Sequence, residues 1–599
     1  MDANSQKVCQ IIDRLREMAV REGRDDLARR LMTARDRVTE PSSRVVVVGQ
    51  LKQGKSQLIN SLLNIPVCRV GDAETTSMIT SVGYGEEPTA RLIVEDAEAG
   101  ERAVPVPMDD ITTDLVASPL AGGAKILRLE IKVPSPFLKQ GLVLVDTPGT
   151  GGVGSPYAAA TLGLLAASDA ILIVSDMSQE FTAPELSFIR QAHEICPNAL
   201  CLATKIDLYP SWRAVLAADV AHLTKAGIAL EPKPVSSLLR AHAVRLSDPE
   251  LNAESGFPAL IEYLNNKVLA QAGAAMQRVV MAEVRSAAEH LSVVLQPELA
   301  TLKDPEVKGR LVAELERARA EAKELSARTS MWQQTLNDGI ADLSADADYD
   351  LRSRTRTMIR DYESQIDAGD PAKFWDELGE NLKNDIAEAV GDNFVWVHEQ
   401  SLAVAERVAE SFADTTASVT IPNVDLARVG HEIAPVEGLS DMTQDPQGIV
   451  SKLVTGMRGS YGGMMMFGMM STMIGMSMLN PFSAAAGLLL GRKTYKEDKE
   501  MRLARRRAEG KVAVRKFIDD VLFEASTESR YRLRAIQRVL RDHFRGIAEQ
   551  TTRSLTESIK SIEEAARAEA STVDKRIKII EADLKLLSEV SAWAKGGTS

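Results

Sequence analysis

The apolar positions of this chain fall into three regimes. Over residues 2–40, Val8, Ile11, Leu15 and Met18 recur at helical spacing, and Leu27, Leu31, Ala34 and Val38 continue the stripe. That spacing predicts helix until Pro41-Ser42-Ser43 interrupts it. Over 44–265, short apolar runs alternate with amphipathic segments. Arg44–Val48, Leu142–Val145, Ala170–Val174 and Ala199–Ala203 each read as a strand buried on both faces. Such alternation predicts an α/β domain with a mostly parallel sheet and helices on both faces. From about residue 266 onward there is almost no strand signal. Leu311, Leu315, Ala318, Ala322 and Leu325 keep helical spacing. The run Leu555, Ile559, Ile562, Ala566, Ala570, Val573, Ile577, Ile580, Leu584 and Leu587 steps by threes and fours, the periodicity of a helical bundle. The expected organisation is an N-terminal helix (1–40) that packs with the neck, an α/β domain (44–265) and a helical neck and trunk (266–455). A segment of different character follows (456–491), and then a basic helix and C-terminal helices that return to the neck (492–594).

Composition narrows this picture. The chain has 599 residues, enough for several domains, and its charged fraction of 26% is that of a folded protein. The net charge of -13 disfavours nucleic acid as a partner of the whole chain. Cys9, Cys68, Cys196 and Cys201 show no CxxC spacing and no neighbouring His cluster, so they read as buried thiols in a reducing compartment rather than a zinc site. Residues Met1–Glu22 carry mixed charges and no apolar core of a secretory leader, so a cytoplasmic location is the expectation.

The candidate chemistry begins at Gly49-Gln50-Leu51-Lys52-Gln53-Gly54-Lys55-Ser56, a match to GxxxxGK[ST]. A β-branched strand runs in and an apolar-periodic helix (Leu58, Ile59, Leu62, Leu63) runs out, the context this motif requires. Backbone N–H groups of the loop and of the helix start surround phosphates, and the glycines permit close approach. Lys55 would neutralise phosphate charge, and the Ser56 hydroxyl would ligate Mg²⁺. Gln57 follows on the same helix start. Asp146-Thr147-Pro148-Gly149 comes at the carboxyl end of a strand, where Asp146 can hold the Mg²⁺ shell and the Gly149 N–H can meet a γ-phosphate. Thr204-Lys205-Ile206-Asp207 has the form of a guanine-reading motif. Its carboxylate accepts from the guanine N1–H and amine, a pair of donors that adenine lacks. Ser236-Ser237 is a weaker candidate for the last loop that contacts the base.

With these motifs in this order, and a long helical second half, the chain resembles the dynamin superfamily. Among its members it is similar to the bacterial dynamin-like proteins, including the actinobacterial isoniazid-inducible group. The resemblance implies a GTPase domain with a helical stalk and an apolar tip that enters membrane, GTP and GDP as substrate and product, Mg²⁺, and GTP-linked self-association through the GTPase domain. It also implies a role for Thr76, which lies in Thr75-Thr76-Ser77-Met78-Ile79-Thr80-Ser81-Val82-Gly83-Tyr84-Gly85: family members carry a Thr at this place that ligates Mg²⁺ and helps hold the attacking water. The chain departs from the family at Lys52, where a small polar residue is often found, and no Gln follows Asp146–Gly149 to orient water. Lys52 is therefore a candidate stabiliser of transition-state charge, with a solvent-facing loop lysine as the alternative.

One segment fits neither the sheet nor the bundle. The 33 residues 459–491 contain no Asp, Glu, Lys, Arg or His. They include Met464, Met465, Met466, Phe467, Met469, Met470, Met473, Ile474, Met476, Met478 and Leu479, then Asn480-Pro481 and Phe482. Three readings are open: a buried helix pair, a transmembrane span, and a hairpin dipping into one leaflet. Met464–Leu479 is shorter than the roughly 20 residues of a full span, and flexible thioethers suit a disordered partner, which favours the hairpin. Arg492 and Lys493 begin a basic stretch running to Lys516, suited to anionic lipid at the inner face of the cell membrane. The sequence thus points to a membrane-remodelling GTPase; the alternative is a membrane-associated switch or scaffold whose nucleotide site controls assembly alone.

Overall fold

The computed structural model of the chain describes residues 3–70, 78–96, 100–113, 115, 120, 122, 124, 126–147, 164–166, 168–307, 309–317, 329–415, 483–565, 567 and 570–596. Two helices open it, α1 (Ala3–Arg21) and α2 (Asp25–Thr39). The α/β part then runs β1 (Ser43–Val48), α3 (Lys55–Leu63), β2 (Ile79–Tyr84), β3 (Thr89–Asp96), β4 (Gly100–Val106), β5 (Ile126–Val133), β6 (Leu142–Asp146), β7 (Ala170–Asp176), α4 (Ala183–Ile195), β8 (Ala199–Thr204), α5 (Trp212–Lys225), β9 (Lys233–Pro234), α6 (Ser237–Leu246), α7 (Pro249–Glu254) and α8 (Phe257–Tyr263). Long helices follow: α9 (Ala270–Lys303), α10 (Thr329–Ala368), α11 (Trp375–Thr415), α12 (Ser483–Ala565) and α13 (Ala570–Gly596).

The nine strands form one sheet in the order β4-β3-β5-β2-β6-β1-β7-β8-β9. From β6 to β9 every neighbouring pair is parallel, while β2–β6, β3–β4 and β3–β5 are antiparallel. The expected fold class is thus met by a mixed sheet that is parallel from β6 to the β9 edge. Alternation along the central strands sorts the two faces. Val45, Val47, Leu142, Leu144, Leu172 and Val174 meet Leu58, Ile59 and Leu62 of α3 and Phe257 of α8. Val46, Val48, Val145, Ile171 and Ile173 meet Phe188, Ile189 and Ala192 of α4 and Leu223 of α5. A run such as Val45–Val48 has no polar side because neither face of the sheet sees water.

The helices make two further cores. In the first, Ile12 and Leu15 of α1 and Leu27 and Leu31 of α2 bury against Val284 and Leu291 of α9 and Ile580 and Leu587 of α13. In the second, α10, α11 and α12 interlock through Leu336, Ile340, Val404, Val408, Leu540 and Phe544, and further along through Ile366, Ile386 and Ile518. Helix α12 is 83 residues long, about 125 Å at 1.5 Å per residue. It belongs to both cores: Phe544 packs in the second, while Ser558 and Ser561 hydrogen-bond Val293 O and Glu298 of α9.

Two runs read as continuous in the sequence are broken. The helix expected over 2–40 is divided at Gly23, whose φ of 68° lies in the left-handed region that favours glycine. The apolar period survives the break because both helices face one core. The C-terminal run is likewise shared between α12, which ends at Ala565, and α13, which begins at Ala570. Among the described residues no helix is long and apolar enough to cross a membrane. The candidate membrane residues Met464–Phe482 lie outside the described residues, and Arg492 and Lys493 are described as backbone of α12 only.

Arg24 fixes the elbow between α1 and α2. It is fully buried, grips Asp26 with Nε and Nη2 at 3.0 and 2.8 Å, and donates from Nη1 to Ser554 Oγ of α12 at 2.6 Å. Arg24→Ala removes the closest partner of Asp26 and leaves it with Arg553 at 3.6 Å, and leaves Ser554 with His290 and the Gln550 carbonyl. The expected cost is about 3 kcal/mol, read as a lower denaturant midpoint for the full chain; an unmoved midpoint would show that the elbow does not depend on this side chain.

Candidate nucleotide-binding site

The carboxyl ends of β1, β6, β7 and β8 converge on the loop Gly49–Ser56. Local geometry explains its glycines. Gly49 has φ 152°, and a Cβ there would collide with the Val174 carbonyl oxygen of β7. Gly54 has φ 98° and caps α3 from the left-handed region. Lys52 also has a positive φ, 64°, uncommon for a residue with a Cβ, and its side chain is exposed. The loop is tied down from the side: Thr204 Oγ1 donates to Gln53 O at 2.7 Å and to Ser175 O at 3.2 Å. The Gln53 side chain points inward, accepting from Gln50 N at 2.6 Å and donating to Glu185 Oε1 of α4 at 2.9 Å. Thus Gln53 contributes its backbone to the loop, while its side chain braces it.

Lys55 is buried, with Nζ donating to Gly49 O at 2.9 Å and Gln50 O at 2.6 Å. Burial pulls its pKa down to about 8, against the opposing charge of Asp146. Ser56 Oγ donates to Asp146 Oδ2 at 2.6 Å. Asp146 is 1% exposed, and its Oδ1 is buried without a hydrogen-bond partner. Burial raises this carboxyl to about 6, with Ser56, Lys55 and a contact from the Cys68 thiol opposing. Buried polar atoms are normally satisfied, so an orphaned carboxylate oxygen beside a serine hydroxyl fits a hard cation. Cys68 lies beside Asp146, and burial together with that charge pushes its thiol well up. Thr147 Oγ1 donates to Val47 O at 2.8 Å, locking the start of its loop to β1.

The second end of the cleft follows β8. Lys205 has φ 57° and holds Asp176 through Nζ at 2.7 Å. Asp207 is exposed and accepts a hydrogen bond from Ser236 Oγ. Ser236 is fully buried, takes the Leu239 N–H at 3.0 Å as the cap of α6, and donates its own N–H to Ser255 O at 2.9 Å. The loop before α6 is therefore aimed at Asp207 by a serine that satisfies three groups. Ser237 begins α6, where its carbonyl accepts from Ser61 Oγ at 3.4 Å. Gln57 lies on α3 and reaches Ser61 Oγ at 3.4 Å.

The structure therefore gathers Gly49, Lys52, Gln53, Gly54, Lys55, Ser56, Gln57, Asp146, Thr204, Lys205, Asp207, Ser236 and Ser237 around one end of the sheet. Thr76 and Gly149 lie outside the described residues. Sequence reasoning missed Glu185. Thr182-Ala183-Pro184-Glu185 carries the signature of a capping box, and the box forms; nothing in it signals that the same carboxylate reaches Gln53.

Residues 45–204 match the model of the dynamin family. The isoniazid-induced protein IniA of Mycobacterium tuberculosis is 49% identical over 586 residues, covering 98% of this chain and 92% of its own. The isoniazid-induced protein IniC of the same organism is 28% identical over 236 residues, 36% of this chain and 46% of its own. A solved bacterial dynamin, from an oligomerised pair described as sensing and tethering membranes at long range, aligns with 89% of this chain and 84% of its own at 15% identity and a TM-score of 0.39. With half of its residues shared over nearly its full length with IniA, and the family's domain at its phosphate loop, the chain belongs to the dynamin family as a bacterial dynamin-like protein.

Proposed function

We propose that the chain binds GTP with Mg²⁺, hydrolyses it to GDP and phosphate, and couples this cycle and self-association to remodelling of a membrane from its inner, cytoplasmic face. The observation that carries the reading is the pairing of Ser56 with a buried Asp146 whose second oxygen is unsatisfied, placed at the end of a loop that matches a phosphate cradle. Ser56 and Asp146 would hold Mg²⁺, with Thr76 completing the set, and the ion would supply neutralisation of phosphate charge. Loop N–H groups and Lys55 bind the phosphates. In the free protein Lys55 rests on two loop carbonyls, so the phosphates meet an ammonium already in the cleft. The Gly149 N–H serves the γ-phosphate. Asp207, steadied by Ser236, reads guanine, and Thr204 and Lys205 position that loop. Thr76 holds the attacking water, and Lys52 stabilises charge that develops only in the transition state.

The membrane reading rests on the uncharged run 459–491 and the basic stretch after it. Burying one large apolar side chain is worth roughly 1.5–3 kcal/mol, so a few inserted residues bind one monomer weakly. Many tips on one surface bind tightly by avidity, and salt screens the basic contribution. Self-association through the GTPase domain would therefore strengthen membrane binding.

Lys55→Ala is expected to abolish GTP turnover, measured as phosphate release with and without anionic liposomes; an active variant would move the phosphate site elsewhere. Thr76→Ala should retain mant-nucleotide binding and lose most of kcat. If kcat stays within a few-fold, another group holds the water. Met470→Asp combined with Ile474→Asp should end flotation with anionic liposomes, because carboxylates in an apolar layer are costly, while basal turnover survives. Continued flotation would place the membrane contact outside this run.

A further inference from the structure

Helix α4 touches the phosphate loop at one end and the trunk at the other. In its first turn Glu185 is 6% exposed and fully engaged. Oε2 accepts from the Thr182 N–H at 2.9 Å and Thr182 Oγ1 at 2.8 Å, and Oε1 accepts from Gln53 Nε2 at 2.9 Å. The Gln53 side chain in turn holds the Gln50 N–H, and Gln50 O is one of the two carbonyls under Lys55. A chain of hydrogen bonds thus runs from Glu185 through Gln53 to Gln50, whose carbonyl holds the phosphate-binding lysine, with Ser175 Oγ at 3.4 Å as a second acceptor of the Gln53 amide.

At the other end, Gln191 is 2% exposed and donates from Nε2 to Asp392 Oδ1 at 2.8 Å and Glu388 O at 3.2 Å of α11. Arg190 Nη2 reaches the same Asp392 oxygen at 2.8 Å. Gly391 lies between them: a Cβ there would overlap the Gln191 side-chain amide. One turn on, Val395 of α11 is buried in the core cluster of Phe188, Ile189 and Ala192, with Phe394 packed against it. The trunk thus completes the core on the α4 face of the sheet.

We propose that α4 couples the nucleotide site to the trunk, with Glu185 as a positioning residue for the phosphate loop and the docking of Arg190, Gln191 and Gly391 as the contact that keeps Glu185 in place. This rests on the GTP reading and adds how the site is linked to the stalk. Glu185 and Gln191 are six residues apart, a rise of about 9 Å, over which a helix moves as one piece. Docking pre-organises the loop, and a pre-organised cradle binds its ligand more tightly than a loose one. By linkage, bound nucleotide strengthens docking by the same factor, so GTP steadies the domain on the trunk and loss of nucleotide frees it.

The test is mant-GTP titration of the full chain as wild type, Glu185→Ala, Gly391→Leu and the double variant, with amide hydrogen exchange of residues 49–56. Each single change should weaken binding by about tenfold, and exchange in the loop should rise in Gly391→Leu although that residue lies on the trunk. Glu185→Gln, which keeps an acceptor for Gln53, should recover part of the loss. The double variant should bind no more weakly than Glu185→Ala alone, because coupled residues are not additive. Additive losses would overturn the coupling, as would a Gly391→Leu protein that binds within about twofold of wild type while exchange shows α4 and α11 apart. Should Gly391→Leu fail to fold, Asp392→Ala removes the partner of Arg190 and Gln191 and carries the same expectation. Wild type that fails to bind mant-GTP overturns the GTP reading and the coupling with it; tight wild-type binding with an indifferent trunk variant overturns the coupling alone.

Discussion

A loop that offers its backbone N–H groups to phosphate cannot spend them on holding its own shape. Gly49–Ser56 has that constraint beyond Gln50, whose N–H the Gln53 side chain takes, and the surrounding structure answers it. Gly49 is pressed against Val174 O so closely that no side chain fits. Thr204 pins Gln53 O from β8, and the Gln53 side chain is buried against Glu185. The order of the strands follows from the same need. With β1 between β6 and β7, the loop, Asp146 and the end of β7 open at the carboxyl ends of the strands, and β8 adds Thr204–Asp207 beside them. This is where parallel α/β sheets place ligands.

The helical half meets a different constraint. Three- and four-helix cores are narrow, so each must be assembled from helices far apart in sequence. Helix α12 solves this by running through both, and α13 folds back onto α9 and the N-terminal pair. Arg576 joins these pieces, bridging Glu298 of α9 and Glu22 at the end of α1, each at 2.7 Å. The N-terminal residues, which precede the sheet domain, and the C-terminal helix are thereby neighbours, and the sheet domain is inserted between two contributors to one core.

How much of this could be read from the sequence depended on burial. Strands β1, β6, β7 and β8 were legible because both of their faces are apolar. β5 was overlooked although Ile126–Val133 alternates Leu and Ile with Arg, Glu and Lys, the period of a half-buried strand, and β9 is only two residues long. β2, β3 and β4 were missed as well, and with them the antiparallel pairings of the sheet. Gly23 and the end of α12 at Ala565 were hidden because the apolar period runs on through both. At the candidate site, the motif residues cluster as their order suggested, since a phosphate loop and the strand ends beside it are local patterns. Glu185, Asp392 and Gly391 were not legible. Their roles arise from contacts across long sequence separations, between a helix of the sheet domain and a trunk helix.

The most direct measurement is a calorimetric titration of the full chain, in Mg²⁺, with a non-hydrolysable GTP analogue and with its ATP counterpart. Asp207 fixed by Ser236 predicts one guanine nucleotide bound per chain and an adenine nucleotide at least about a hundredfold weaker, because adenine lacks the N1–H and amine donors that this carboxylate accepts. Equal affinity for the two analogues, or tighter binding of the adenine one, would contradict it.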